Sequence, residues 1–272
     1  MIPTYHWRKY FRFKGVFKLV IDETLQLKIM SYGNTIENEL FWLGAKGWEG
    51  RAIQAWKKLS ERSSVIFDIG ANTGLYSLVS AKVNTLASVY AFEPLQPVVE
   101  RFRINLQLND LVLNLFQVAL AEEDGEGKIF MADTISGTFD QASLNELKYQ
   151  SVTQNFFTIR KRTLSSFIEE NNITHIDLMK IDVETFEPQV LRGMRSYLKR
   201  FAPTLIIEIL NEKVGRQVQD LIQDIEYHYY LIDEKKGFIL KDSLLPNKRG
   251  NNFLILNKNK HPNFDLKLTD VQ

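Results

Sequence analysis

An apolar run that ends in an acid and a glycine turn constrains this chain more than any other feature. It reads Val65-Ile66-Phe67-Asp68-Ile69-Gly70-Ala71-Asn72-Thr73-Gly74. A second apolar run closes on Tyr90-Ala91-Phe92-Glu93-Pro94, which puts a second acid 23 residues after Gly70. These are the parts of a parallel βαβ unit with a nucleoside site across two strand ends. The glycines let backbone approach the ligand, and the second carboxylate can accept from both ribose hydroxyls.

The rest of the chain supports an α/β fold. Residues 16–31 alternate, with Asp22-Glu23 as the turn of a hairpin. Gly44, Gly47 and Gly50 punctuate a loop, and residues 49–60 form a helix with Ile53, Trp56 and Leu59 on one face. Strands are expected at Val65–Ile69, Ser88–Phe92, Leu113–Leu120, Lys128–Met131, Thr158–Lys161, Ile176–Val183 and Pro203–Leu210, with closing strands at Tyr229–Asp233 and Phe253–Asn257. Helices are expected at Leu75–Lys82, after Pro97, at Leu164–Glu170, after Pro188 and around Val214–Ile225. This alternation implies a mostly parallel sheet covered on both faces. The division expected is an N-terminal arm, hairpin and helix over 1–63, acting as a cap or lid, and a catalytic domain over 64–272.

Composition narrows the function classes. The chain has 272 residues, enough for one large α/β domain with an added segment. It has no cysteine, which excludes disulfides and thiolate chemistry and is compatible with a cytoplasmic location. A net charge of +1 gives no electrostatic reason to expect a nucleic acid partner. No apolar stretch reaches the roughly 20 residues that span a bilayer. The N-terminus carries Arg8, Lys9, Arg12, Lys14 and Lys18 among Tyr5, Trp7, Tyr10, Phe11 and Phe13, an arm that either packs on the core or closes over the site. The polar stretch 134–156 reads as a long loop. The four histidines, His6, His175, His228 and His261, show no ligand spacing.

Four acids fall at expected strand ends: Asp68, Glu93, Asp182 and Glu208. Asn72 stands where a dinucleotide fingerprint has its second glycine, which argues against a pyrophosphate and against a nicotinamide oxidoreductase. A phosphate-free nucleoside such as S-adenosylmethionine fits better. Asp68 would face its amino group, Glu93 its ribose, and Pro94, Leu95, Val118 and Ala119 its adenine, with Gly70, Asn72 and Gly74 forming the cradle. Lys180 lies within an apolar strand and reads as a partner to a carboxylate.

With Lys180-Ile181-Asp182-Val183-Glu184, Glu187 before Val190-Leu191-Arg192-Gly193, and Pro203 before Ile206-Ile207-Glu208, the order of motifs resembles the FkbM family of S-adenosylmethionine-dependent methyltransferases. The resemblance runs from Val65 to Leu210, with a weaker echo at Glu49. It implies a class I, Rossmann-like, seven-stranded sheet. The implied reaction is methyl transfer, usually to a hydroxyl oxygen of a small molecule such as a sugar or secondary metabolite. The family usually has glycine where this chain has Thr185.

An alcohol oxygen must lose its proton, which calls for a base or a metal. Asp182, Glu184 and Glu208 are the catalytic candidates. Asp182 and Glu208, with Asn211 as a neutral third ligand, can hold Mg2+ or another divalent cation; alternatively one carboxylate is the base. Two rivals remain: a catalytically inactive binding module of the same fold, and an NAD-dependent oxidoreductase. A homo-oligomer is compatible with the sequence.

Overall fold

The computed structural model describes residues 11–130, 156–248 and 250–260. The N-terminal arm before Phe11, most of the 134–156 stretch and His261 lie outside them.

The chain opens with an antiparallel hairpin, β1 (Gly15–Val20) and β2 (Gln26–Ser31). Asp22 shapes its turn by accepting from the backbone N–H groups of Thr24 and Leu25. Helix α1 (Thr35–Leu43) follows, then a 3-10 turn over Gly44–Gly47, then α2 (Gly50–Ser60). The sequence reading assigned no element to residues 35–43, where α1 lies. Glu37 reaches back to the N–H of Asn34 and closes the first turn of α1, a local signal that compensates for weak periodicity. Helix α2 buries Ile53, Trp56 and Leu59 as expected.

The strand and helix alternation then runs β3 (Val65–Ile69), α3 (Leu75–Val83), β4 (Ser88–Phe92), α4 (Gln96–Leu108), β5 (Asn114–Phe116), β6 (Ala119–Leu120), β7 (Gly125–Phe130), β8 (Phe156–Arg162), α5 (Leu164–Glu170), β9 (Leu178–Ile181), α6 (Glu187–Met194), α7 (Ser196–Phe201), β10 (Thr204–Glu208), α8 (Glu212–Ile222), β11 (Tyr227–Asp233), β12 (Gly237–Lys241) and β13 (Asn252–Asn257).

The main sheet has eight strands in the order β12-β11-β13-β10-β9-β3-β4-β5, not seven. It is mixed. Strands β10, β9, β3, β4 and β5 are parallel, β13 is antiparallel to β10, and β11 and β12 continue antiparallel pairings. The extra strand is β12, which returns from β11 through the left-handed Gly237. The expected strand 113–120 is two strands in different sheets. The Phe116 carbonyl accepts from both Glu93 N and Val118 N, and the chain bends there. Strand β6 then joins β8 and β7 in a separate three-stranded sheet.

Each face of the main sheet has its own core. Ile66, Ala91, Leu178, Ile206 and Leu254 point to the face covered by the hairpin, α2, α3 and α4. Phe67, Phe92, Met179, Ile207 and Phe253 point to the face covered by α5, α6, α7 and α8. The hairpin is also tied to α4 by asparagine side chains. Asn109 accepts from Lys28 N at 2.8 Å and donates to Lys28 O at 2.7 Å. Asn105 accepts from Met30 N at 2.8 Å and donates to Thr73 O in the glycine turn at 2.9 Å.

Strand β3 is the pivot: the chain winds to β4 and β5 on one side and later to β9 and β10 on the other. Ligands in open α/β sheets sit outside strand ends at such a switch point. Among the described residues, no helix is long and apolar enough to cross a membrane.

Candidate active site

A cavity of about 470 Å³ opens at this switch point, within the size range of small-molecule and cofactor sites. Asp68, Gly70, Asn72, Glu93, Pro94, Val118, Ala119, Asp182, Glu184 and Glu208 all line it. Of the expected site residues, only Gly74 and Asn211 are not on its wall.

The turn after β3 is shaped by close contact. A Cβ on Gly70 would lie 1.9 Å from the Asp182 carbonyl oxygen, and one on Gly74 would lie 2.1 Å from the Phe102 ring. Both glycines also have positive φ. Gly74 therefore acts from behind the cavity, letting Phe102 of α4 pack under the turn. Asn72 takes φ 50° and aims its N–H at Glu93 Oε2, 3.1 Å away. Leu95 N donates to Glu93 Oε1 at 2.9 Å. Each Glu93 oxygen keeps a further lone pair. Burial pushes the Glu93 carboxyl up to about 7, against the pull of those two N–H donors.

Asp68 is 1% exposed. Its Oδ2 accepts from Ser77 N at 3.0 Å and Ser77 Oγ at 2.6 Å, while Oδ1 is buried without a hydrogen-bond partner. Burial raises its pKa, and Lys180 opposes that shift. A buried orphan acceptor on a cavity wall is a place for a ligand donor. Leu95, Val98, Ala119, Ile129 and Ile159 form an apolar patch, of which all but Ile159 reach the same cavity. The orphaned oxygen, the braced Glu93, the crowded glycine cradle and the apolar patch fit an adenine nucleoside bearing an amino group.

The other end of the cavity is charged. Lys180, 4% exposed, donates to Asp182 Oδ2 at 2.7 Å and lies 4.5 Å over the Tyr76 ring. Burial works against its ammonium, but Asp182, Glu49 and Asp68 outweigh burial and hold its pKa above the usual value. This is the carboxylate partnership expected from the sequence. Glu208 accepts from Asn251 Nδ2 at 2.9 Å. Burial pushes its carboxyl up to about 9, with repulsion from Asp182 and Glu49 adding to the shift.

Glu49 was missed as a member of this group, beyond a weak family echo. It sits left-handed at the start of α2, lines the cavity, and accepts from Tyr76 Oη at 2.6 Å and Asn252 Nδ2 at 2.7 Å. The available signal was a Glu-Gly pair before an amphipathic helix. Thr35, Ile36 and Trp48 join it, so the N-terminal segment supplies one wall.

The expected cation ligands do not assemble. Asn211 Oδ1 accepts from Val214 N at 3.0 Å and caps α8. Asp182 Oδ2 is engaged by Lys180, and among the described residues no group of three His, Asp or Glu can hold a metal ion. His175 is at the surface, within 2.8 Å of Ser64 Oγ. Of the basic run 160–162, Arg162 pairs with Glu170 and approaches Asp124.

Residues 68–240 match the Methyltransferase FkbM domain family. AMB antimetabolite synthetase AmbE of Pseudomonas aeruginosa is 26% identical over 182 residues, covering 56% of this chain and 9% of that protein. The 2-O-methyltransferase NoeI of Sinorhizobium fredii is 26% identical, with 52% of this chain and 62% of that protein covered. The 31-O-demethyl-FK506 methyltransferase FkbM of Streptomyces tacrolimicus is 29% identical, with 48% and 59% covered. The match thus spans less than two thirds of each of these relatives. A family match over more than half of the chain, on a fold whose switch point carries the expected acids, settles the grouping: this chain belongs to the FkbM methyltransferase domain family.

Proposed function

We propose that the chain methylates a hydroxyl oxygen of a small molecule, with S-adenosylmethionine as donor. The observation that carries this reading is a single cavity with a nucleoside-type end at Asp68 and Glu93 and a buried Lys180–Asp182 pair beside Glu208 at the other. The similarity to the 2-O-methyltransferase NoeI and to the 31-O-demethyl-FK506 methyltransferase FkbM of Streptomyces tacrolimicus supports oxygen as acceptor.

Bound S-adenosylmethionine supplies an activated methyl group. In this reading Glu93 accepts from the ribose hydroxyls, Asp68 Oδ1 from the amino group, and Pro94, Val118 and Ala119 pack on the adenine. Asp182 takes the hydroxyl proton as general base, held in place by the Lys180 ammonium. Glu208, which burial keeps protonated at neutral pH, donates a hydrogen bond that orients the acceptor. The described part of the N-terminal segment serves as the cover of the acceptor end, through Trp48 and Glu49.

The test is incubation with methyl-labelled cofactor and a panel of polyols and phenols, read by mass spectrometry. Label in an ether linkage is expected. Label on nitrogen or carbon alone overturns the oxygen assignment. Tight S-adenosylhomocysteine binding with no transfer to any acceptor favours the binding-module reading, and NAD binding without S-adenosylhomocysteine binding overturns the cofactor.

A further inference from the structure

The segment that carries Asp182 and Glu184 into the cavity has an unusual backbone. Glu184 has φ 56° and Thr185 φ 79°, two consecutive side-chain-bearing residues in the left-handed region. Threonine is β-branched and strongly disfavours that region. Strain of this kind persists only where the surroundings over-determine it.

The start of the segment is fixed on the cofactor turn. Asp182 N donates to Ile69 O at 3.0 Å, and its carbonyl lies against Gly70, where any Cβ would collide. The end is fixed by a side chain. Glu187, at the start of α6, is 0% exposed and turns back so that Oε1 accepts from Val183 N and Thr185 N, each at 3.2 Å. One oxygen thus holds the N–H groups of the two residues that flank Glu184. Its Oε2 is buried without a hydrogen-bond partner. Helix α6 packs directly on the backbone at Ala121: a Cβ on Gly193 would lie 2.1 Å from the Ala121 carbonyl oxygen. Glu187 is therefore a rigidly mounted acceptor.

We propose that Glu187 is a positioning residue for methyl transfer, holding the Val183–Thr185 turn in its left-handed form so that Asp182 and Glu184 stay on the cavity wall. It rests on the assignment of Asp182 to the chemical step. Glu187 does not line the cavity and touches no reacting atom; it acts through the turn. Burial pushes its carboxyl up to about 8, so the protonated form dominates at neutral pH. A glutamine is close in shape to that form and retains the accepting oxygen.

Three variants test this, each with S-adenosylhomocysteine affinity measured by calorimetry and amide exchange measured at Val183 and Thr185. Glu187→Gln should keep kcat within about threefold of the parent. Glu187→Ala should lower kcat at least tenfold, leave S-adenosylhomocysteine affinity within about twofold, and speed exchange at both amides. Adding Thr185→Gly to Glu187→Ala should recover at least threefold of the lost kcat, because glycine accepts the left-handed conformation without the acceptor. Unchanged exchange and unchanged kcat in Glu187→Ala overturn the proposal. So does a loss of kcat in Glu187→Ala that Thr185→Gly does not relieve. If the parent transfers no methyl group to any acceptor, the functional reading fails instead, and the exchange rates still decide whether Glu187 holds the turn.

Discussion

The Tyr76 hydroxyl donates to Glu49 Oε2 at 2.6 Å, which ties the helix after the glycine turn to the helix supplied by the N-terminal segment. Tyr76→Phe keeps the ring under the Lys180 ammonium and removes only this bond. Hydrogen bonds to charged groups contribute about 1.5–3 kcal/mol. The variant should lose about that much stability in urea unfolding and turn over more slowly. Unchanged stability would show that the bond is absent in solution.

Glu93→Gln should weaken S-adenosylhomocysteine binding by about 1.5–3 kcal/mol, roughly tenfold to a hundredfold, because the amide nitrogen must face one of the two N–H groups from Asn72 and Leu95. The parent should show a matching pH effect. Its Glu93 carboxyl is pushed up to about 7, and only the ionised form accepts fully, so affinity should rise from pH 6 to pH 8. Calorimetry across that window checks the sign; a flat profile in the parent removes Glu93 from the ribose role.

Asp182→Asn should lower the rate at least tenfold, about 1.4 kcal/mol of barrier, with S-adenosylhomocysteine affinity little changed. It also leaves the buried Lys180 ammonium without its anionic partner, so the melting temperature should fall. Adding Lys180→Met should restore much of that stability and none of the rate. A double variant as active as the parent would move the chemistry away from Asp182.

Stability without ligand should fall as pH rises from about 5 to about 9. Glu93, Glu187 and Glu208 are held protonated by burial, with carboxyls pushed to about 7, 8 and 9 from an ordinary value of 4.5. In that window the unfolded chain binds fewer protons than the folded one, so each unit of pH costs stability. Thermal melts should show it, and Glu208→Gln should flatten the upper part of the slope.

The strand pivot was legible because its signals are local: Val65–Ile69 and Ser88–Phe92 are apolar runs closed by turn residues, and both appear at those boundaries. The place of Glu93, at a strand end on the cavity wall, was legible for the same reason. Glu49 was not, because its role depends on Tyr76 and on Asn252, 203 residues away, and no period links them. Strand β12 escaped because Phe238, Ile239 and Leu240 form too short a run without the partner β11. Asn211 misled because an asparagine before a helix offers the same atoms to a cap as to a cation, and the cap is nearer. Thr185 was visible as a departure from the family, but its cost appears only with φ 79° in view.

The asparagines of α4 also settle what the hairpin can do with other chains. A strand edge with free N–H and C=O groups is a template for pairing. On β2 the outward N–H groups of Lys28 and Met30, and the Lys28 carbonyl, are already taken by Asn109 and Asn105. Asn105 on α4 and Asn109 at its C-terminal end thus take the place of a neighbouring strand at Lys28 and Met30, which hinders the pairing of a foreign β-strand there.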